Sequence, residues 1–174
     1  MSDFSYSTLR LFQRFFSSSP TTPSQAGIKT VLDGNTAVAA IEACIAEAAG
    51  LGASFPADAA AFSWQAEQQR RGKNCLGKTL TNRDTEGARG ALAAAIGLSL
   101  SGARATAFLS SPDIMSVQDL LVNAVGRHVP LVVHLSNRTL AAHAGALGSG
   151  HKAYHVSADS GFFCITSPQC TGGC

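Results

Sequence analysis

Blocks of apolar and polar residues alternate along the chain from residue 27 onward, and their spacing predicts helices and strands in turn. In chain order we predict a helix at 37–49, a strand at 53–55, a helix at 56–70, a loop at 71–78, a weak strand at 78–82, a helix ending near 102, a strand at 104–109, a helix at 111–126, a strand at 130–135 and a strand at 161–166. Alternation of this kind favours right-handed crossovers and a mostly parallel sheet. The expected fold class is therefore α/β, with helices flanking the sheet.

Three local signals support these predictions. Asp33-Gly34-Asn35-Thr36 is typical of a turn and helix cap, and the Ala-rich helix after it should stop at Gly50. In Ser111-Pro112-Asp113, serine can cap a helix, proline suits the first position and an acid follows. Residues 130–135 form the clearest buried strand in the chain.

The acid Glu86 is the first candidate for chemistry. Thr85 or Asp84 can cap the helix that follows, which would place Glu86 in its first turn, where the helix dipole favours a negative charge. The same helix carries three glycines: Gly87, Gly90 and Gly97. Each costs up to about 1 kcal/mol relative to alanine, a loss that makes sense where something approaches the backbone closely. Glu86 is therefore either a first-turn acid or part of a binding site.

Parallel sheets bind ligands beyond the carboxyl ends of their strands. Ser110-Ser111 and Asn137-Arg138 fall at such ends. Arg138 follows a buried strand, and a guanidinium fixed there could hold a carboxylate in a bidentate pair. A structural ion pair is an equally good interpretation of Arg138.

Composition limits the class of protein. A chain of 174 residues is expected to form one domain, and with 45% hydrophobic against 14% charged residues part of its exterior should be covered by a partner. A net charge of +2 with scattered basic residues argues against nucleic-acid binding. No run of residues is apolar enough to span a membrane, so we expect a soluble protein.

The two ends of the chain differ in character from its middle. Residues 1–26 combine a short amphipathic segment with a Ser/Pro/Thr-rich linker, which suits docking or targeting. Residues 27–168 form the predicted domain, and 169–174 form a tail. Cys170 and Cys174 in that tail could be a cluster or redox pair, although a frayed terminus is the simpler interpretation.

Cysteines and histidines give no pattern typical of a metal site. The five cysteines are an odd number without framework spacing, so we expect reduced thiols. The five histidines form no ligand spacing with them, and the i, i+4 relation of His151 and His155 is most simply a coincidence. We predict no metal ligands in this chain.

Several segments, taken in order, resemble the amino-terminal domain of pyruvate:ferredoxin (flavodoxin) oxidoreductases. They are Asp33-Gly34-Asn35-Thr36-Ala37-Val38, Phe55-Pro56, Thr85-Glu86-Gly87-Ala88, Ser110-Ser111 and His134-Leu135-Ser136-Asn137-Arg138-Thr139-Leu140-Ala141-Ala142-His143. The likeness extends over about residues 30–168 and lies in the order and spacing of these segments. It implies the three-layer thiamine diphosphate-binding fold, with the chain on the pyrimidine side of the cofactor.

The resemblance also implies roles for individual residues. The acid matching Glu86 is catalytic and hydrogen-bonds N1′ of the aminopyrimidine, which promotes deprotonation of thiazolium C2. The arginine matching Arg138 binds the carboxylate of the 2-oxo acid, and Asp58 stands where the family usually has a threonine that touches substrate. The remaining expected cofactor contacts are Pro56, Ser110 and Ser111.

The resemblance further implies that this chain is half of an active site. Thiamine diphosphate would be shared with a diphosphate-binding domain or subunit, and magnesium and iron-sulfur clusters would lie only on partner domains. We expect a ferredoxin- or flavodoxin-type electron acceptor, a homo- or hetero-oligomer, and no activity in the isolated chain. The expected compartment is the cytoplasm or, alternatively, a mitochondrion or related organelle. A different possibility is a degenerate, non-catalytic scaffold, as in some flavoprotein sulfite reductases.

Overall fold

The computed structural model describes residues 31–55, 57–137 and 152–165. Its strands are β1 (Ala48–Gly52), β2 (Thr81–Thr85), β3 (Ala105–Ser110) and β4 (Leu131–Ser136). Its helices are α1 (Gly34–Ile45), α2 (Asp58–Arg71), α3 (Ala88–Leu100), a 3-10 helix (Ser111–Val117), α4 (Gln118–Gly126) and α5 (Lys152–Asp159). The strands form one parallel sheet in the order β2-β1-β3-β4. The predicted α/β class is confirmed.

Two apolar cores lie on opposite faces of the sheet and make the fold a three-layer sandwich. Along β3, Ala107 and Leu109 face a core that includes residues of α3, α4 and α5. Phe108, between them, faces a second core built from α1, α2 and β1. The alternation arises because successive side chains of a strand point to opposite faces. No helix within the described residues is long and apolar enough to cross a membrane.

The first helix ends earlier than predicted, and a strand begins within its last predicted residues. Asp33 caps α1 as expected, accepting a hydrogen bond from Thr36 N at 2.8 Å, but the helix ends at Ile45. The predicted helical residues Ala48 and Ala49 instead begin β1. A Cβ at Gly50 would lie 2.0 Å from the carbonyl oxygen of Ala91, so α3 packs directly on this strand. Close packing against α3 overrides the helix propensity of alanine here.

Three predicted strands need correction. Residues 53–55 form a turn after β1, and the weak strand at 78–82 is in fact β2, shifted to Thr81–Thr85. Residues 161–165 form no strand, and the unpredicted helix α5 precedes them. Gly161 has a φ of 88°, a left-handed conformation that ends α5 and that glycine adopts without steric cost. The segments at 138–151 and 166–174 lie outside the described residues.

The predictions for the second half of the chain are closer. The strand β3 is buried throughout, as expected, but the helix predicted at 111–126 is a 3-10 turn followed by α4. The prediction that β4 is the clearest buried strand is wrong. The strand lies at the edge of the described sheet, where five of its six residues are half-buried and Val132 is exposed. Two contacts tie β4 to α1: His134 Nε2 lies 2.8 Å from Glu42 Oε1, and Ser136 Oγ donates to Asn35 Oδ1 at 2.8 Å.

Candidate functional site

An open cleft with a volume of about 570 Å³ lies at the carboxyl edge of the sheet. Because all four strands are parallel, the ends of β1, β2, β3 and β4 meet at this edge. The residues that line the cleft are Ala53, Glu86, Gly87, Ala88, Arg89, Gly90, Asp113 and Ser116. The sequence predicted a ligand site at this edge of the sheet, and the cleft lies at the same edge.

Glu86 lies on the rim of the cleft, between β2 and α3. It is exposed, and among the described residues no group hydrogen-bonds or ion-pairs with its carboxylate. Gly87 is the N-cap of α3 in an extended conformation, so Glu86 precedes the helix and does not lie in its first turn. The carboxylate is therefore available to a ligand that enters the cleft.

Neither residue expected to cap α3 does so. Thr85 Oγ1 donates instead to Leu51 O on the neighbouring strand at 2.9 Å. The carboxylate of Asp84 accepts from Gln65 Nε2 at 3.0 Å and Asn82 Nδ2 at 2.9 Å. The sheet and α2 use both side chains, and α3 begins without a side-chain cap. The prediction of a capped first turn is wrong because β2 extends to Thr85.

The three glycines of this helix differ in their surroundings. A Cβ at Gly90 would lie 2.8 Å from Thr85 Cβ, so the expected close approach is confirmed there, with a residue of the chain itself as the neighbour. Apart from the adjoining backbone, no described atom lies within 4 Å of a Cβ built at Gly87 or at Gly97. Gly87 lines the cleft and leaves its wall open, whereas Gly97 is exposed on the far part of α3.

Asp113 forms the other side of the cleft, and the sequence did not single it out as a site residue. Its Oδ2 accepts hydrogen bonds from Ser110 Oγ at 2.6 Å and Ser54 Oγ at 2.5 Å. Ser110 N also donates to Ser54 Oγ at 2.8 Å. These bonds join the loop after β1 to the end of β3. The pattern Ser111-Pro112-Asp113 was the available signal, but its aspartate was interpreted only as the acid of a helix start.

The predicted cofactor residues Ser110 and Ser111 lie next to the cleft but do not line it. Ser110 is 1% exposed and Ser111 is fully buried. The hydroxyl of Ser110 donates to Asp113, so it helps to hold the wall in place. Ser111 is not the expected N-cap, because that position belongs to Ser110 and no side chain caps the 3-10 helix.

The predicted substrate residue Asp58 lies at the start of α2 and outside the lining of the cleft. Its Oδ1 accepts a hydrogen bond from Ala59 N at 2.9 Å, an arrangement that stabilises a helix start. Pro56 and Arg138 lie outside the described residues. Their predicted roles, like that of Asp58, stay predictions.

Arg89 supplies a positive charge at the rim, and Asp119 of α4 binds it. The two side chains form a bidentate pair with N–O distances of 2.8 and 2.6 Å, and Arg89 Nη1 also donates to Ser116 O at 2.8 Å. The hydrogen bond from Arg89 lowers the pKa of Asp119. The pair ties the start of α3 to α4, beside the cleft.

Across residues 31–55, 57–137 and 152–165, no three His, Cys, Asp or Glu side chains lie close enough together to hold a metal ion.

Comparison with known proteins agrees with the resemblance found in the sequence. A family model described as "Pyruvate flavodoxin/ferredoxin oxidoreductase, thiamine diP-bdg" matches residues 61–170, a range that includes Glu86 and Asp113. The chain is also 30% identical over 142 residues to a pyruvate:ferredoxin oxidoreductase of Moorella thermoacetica. That match covers 80% of this chain and 12% of the relative. Neither match supports the scaffold alternative.

Proposed function

Because the chain belongs to the pyruvate flavodoxin/ferredoxin oxidoreductase family, we propose that it acts as the pyrimidine-side half of the thiamine diphosphate site in a 2-oxo acid:ferredoxin oxidoreductase. The observation that carries the proposal is the exposed carboxylate of Glu86 at the rim of a cleft whose lining includes four alanine or glycine residues. When bound, the cofactor would supply a nucleophilic carbon for chemistry at the carbonyl of a 2-oxo acid.

The lining of the cleft fits a flat aromatic ring. Ala53 and Gly87 present nothing larger than a methyl group on the walls, so a ring can lie against this part of the cleft. Glu86 is within the same lining and would share a proton with ring nitrogen N1′ of the aminopyrimidine. An exposed carboxylate without a protein partner suits this role, because its hydrogen-bonding capacity is still available.

The substrate would be held by groups on the same edge of the sheet. Arg138 comes two residues after Ser136, where β4 ends beside β3, and its guanidinium would bind the carboxylate of the 2-oxo acid. Asp58 carries a negative charge that disfavours an anionic substrate nearby. Its hydrogen bond to Ala59 N also stabilises the start of α2.

The rest of the active site would come from other domains. This chain spans 12% of the length of its pyruvate:ferredoxin oxidoreductase relative, which leaves most of such a protein to be supplied elsewhere. We infer that magnesium, the diphosphate contacts and the iron-sulfur clusters lie on those domains, within a homo- or hetero-oligomer. Ferredoxin or flavodoxin would accept the electrons. The cytoplasm, or a mitochondrion or related organelle, is the proposed compartment.

Replacement of Glu86 by glutamine tests the proposal directly. In the assembled enzyme, Glu86→Gln should lower pyruvate-dependent ferredoxin reduction by about 10²-fold or more, because an amide cannot exchange a proton with N1′. Asp84→Asn is the matched control, since Asp84 is an exposed acid two residues earlier whose partners are amide side chains. It should leave turnover within about twofold. Full activity of Glu86→Gln would remove Glu86 from the reaction and favour the scaffold alternative.

Calorimetry on the isolated chain tests whether it is half of a site. With only the pyrimidine ring in contact, one hydrogen bond of about 1 kcal/mol plus some apolar burial barely offsets the cost of association. We expect a dissociation constant for thiamine diphosphate, measured with magnesium present, no better than about 1 mM. A micromolar value would show that the chain contains a complete site.

A further inference from the structure

Two cysteines from separate parts of the chain meet at the opposite edge of the sheet from the cleft. Cys44 lies at the end of α1, before β1, and Cys75 lies in the loop between α2 and β2. Cys75 N donates to Cys44 O at 2.9 Å, so the two cysteines lie side by side in the fold. Neither is in a disulfide. Nothing in the proposed thiamine chemistry uses this pair.

The loop that carries Cys75 is held firmly against α1 by Asn74. The Asn74 side chain is 6% exposed, and its Nδ2 donates to Ala46 O at 2.9 Å. Its Oδ1 accepts from Leu76 N at 3.0 Å and from Lys78 N at 2.9 Å. These bonds fix the residues on both sides of Cys75. The conformational entropy of bringing the two thiols together is therefore lost on folding, before any disulfide forms.

The two sulfurs have different electrostatic surroundings. Arg71 Nη1 donates to Cys44 Sγ at 2.8 Å, and its Nε binds Glu67 Oε2 at 2.6 Å, which holds the guanidinium in place. A guanidinium in this position can stabilise the negative charge that a sulfur carries while it attacks a disulfide. The hydrogen bond with Cys44 is the main cause of a raised pKa at Cys75, so Cys75 keeps its proton longer.

We propose that Cys44 and Cys75 form a site of reversible thiol–disulfide exchange, with Cys44 as the attacking thiolate and Cys75 as the resolving thiol. The oxidant is a small anionic disulfide such as oxidised glutathione, whose carboxylates suit the basic residues Arg71, Lys73 and Lys78, all within four residues of Cys75 along the chain.

The exchange takes place in two balanced steps. Cys44 Sγ attacks one sulfur of the oxidant, the S–S bond breaks, and one glutathione leaves as a thiolate that takes up a proton. Cys75 then loses its proton and attacks Cys44 Sγ in the mixed disulfide, which releases the second glutathione. Two protein thiols are oxidised to one disulfide, and one oxidised glutathione is reduced to two thiols.

Mass spectrometry of the 174-residue chain tests the proposal. A background variant with Cys164, Cys170 and Cys174 replaced by serine removes the other thiols. After treatment with oxidised glutathione, we expect a peptide pair joined by Cys44 and Cys75, which dithiothreitol reverses. In the same background, Cys75→Ser should trap glutathione on Cys44, and Cys44→Ser should slow modification of Cys75 by about tenfold or more. Independent mixed disulfides on both cysteines, without the joined peptides, would overturn the proposal.

A pair of arginine variants isolates the role of the charge. Arg70 and Arg71 both pair with Glu67 at the end of α2, but only Arg71 contacts Cys44. Arg71→Gln should slow the first step by about tenfold, because the thiolate loses its charge-assisted hydrogen bond. Arg70→Gln should change it by less than about twofold, since an exposed charge at that distance is screened by salt. Equal slowing by both variants would show that Arg71 has no specific role in activating Cys44.

Discussion

The two acids of the cleft, Glu86 and Asp113, follow strands of the same sheet and have opposite surroundings. Asp113 accepts hydrogen bonds from two buried serines, Ser54 and Ser110. Glu86 is exposed on the rim, with small residues beside it and no hydrogen-bond partner in the described part of the chain. A carboxylate that is already satisfied stabilises its surroundings, whereas an unsatisfied one can bind a ligand. The comparison gives Asp113 a structural role and supports the proposal that Glu86 takes part in chemistry.

This difference arises from the neighbouring loops, not from the acids themselves. The loop after β1 presents Ser54 to Asp113, and the end of β3 presents Ser110. On the other side, Thr85 turns towards β1 and leaves Glu86 at the exposed bend before α3. Glu86 lies just before α3, and Asp113 lies in the first turn of the 3-10 helix. The local sequence therefore does not distinguish the two acids.

The largest expected effect on stability comes from Asp113→Ala. Removal of this carboxylate leaves the hydroxyls of Ser54 and Ser110, 4% and 1% exposed, without their charged acceptor. We expect the free energy of unfolding to fall by about 1–3 kcal/mol, measured by urea denaturation.

Two further variants complete this test. Asp113→Asn should lose less stability, because its amide oxygen still accepts from a serine. Glu86→Gln should leave the free energy of unfolding within about 0.5 kcal/mol, since surface changes seldom do more. If Glu86→Gln destabilised the chain as much as Asp113→Ala, the assignment of one acid to structure and the other to chemistry would fail.

Two glycines of α3 test whether the rim is built around Thr85. In Gly90→Ala, the new methyl would lie 2.8 Å from Thr85 Cβ and push the end of β2, next to Glu86, out of place. We expect a loss of at least about 1 kcal/mol in the free energy of unfolding, as is usual for overpacking. Gly97→Ala meets no described atom within 4 Å and should stabilise the helix by up to about 1 kcal/mol. Thermal unfolding of both variants would separate these results, and equal effects would contradict the packing argument.

The smallest effect concerns the ion pair at the rim. The hydrogen bond from Arg89 lowers the pKa of Asp119 from its ordinary value of 3.8. The pKa of Asp119 is lower in the folded chain than in the unfolded chain. The pair therefore stabilises the fold at pH values above the pKa that Asp119 has in the unfolded chain. That contribution is lost as the pH falls through the folded pKa.

Urea denaturation at about pH 7 and about pH 3 measures this loss. Between these two pH values the free energy of unfolding should fall slightly less for Asp119→Asn than for the natural chain. Arg89→Gln should give the same small change, because it removes the same pair. A decrease identical to that of the natural chain in both variants would show that the exposed pair contributes nothing.

The candidate site was only partly predictable from the sequence. Glu86 and the carboxyl edge could be found, because an acid beside glycines and a βα alternation are local patterns. Asp113 was missed, since its importance depends on Ser54, which is 59 residues away along the chain. The expected caps Thr85 and Asp84 were wrong for a similar reason. Both side chains form hydrogen bonds with neighbouring strands or helices instead. A capping rule that uses only the adjacent residues cannot predict those bonds.

The sequence by itself determined the layered fold, its parallel sheet and its family. Periodic apolar positions and the order of short segments carry this information, and each can be seen within one element or its immediate neighbours. Tertiary structure decided where β1 replaced helix, which serines hold Asp113, and that Cys75 lies beside Cys44. These outcomes depend on packing between distant segments: Gly50 under α3, Ser54 against Asp113, and Asn74 against Ala46. Such contacts have no signature in local propensity, because their energies arise only when both partners are already in place.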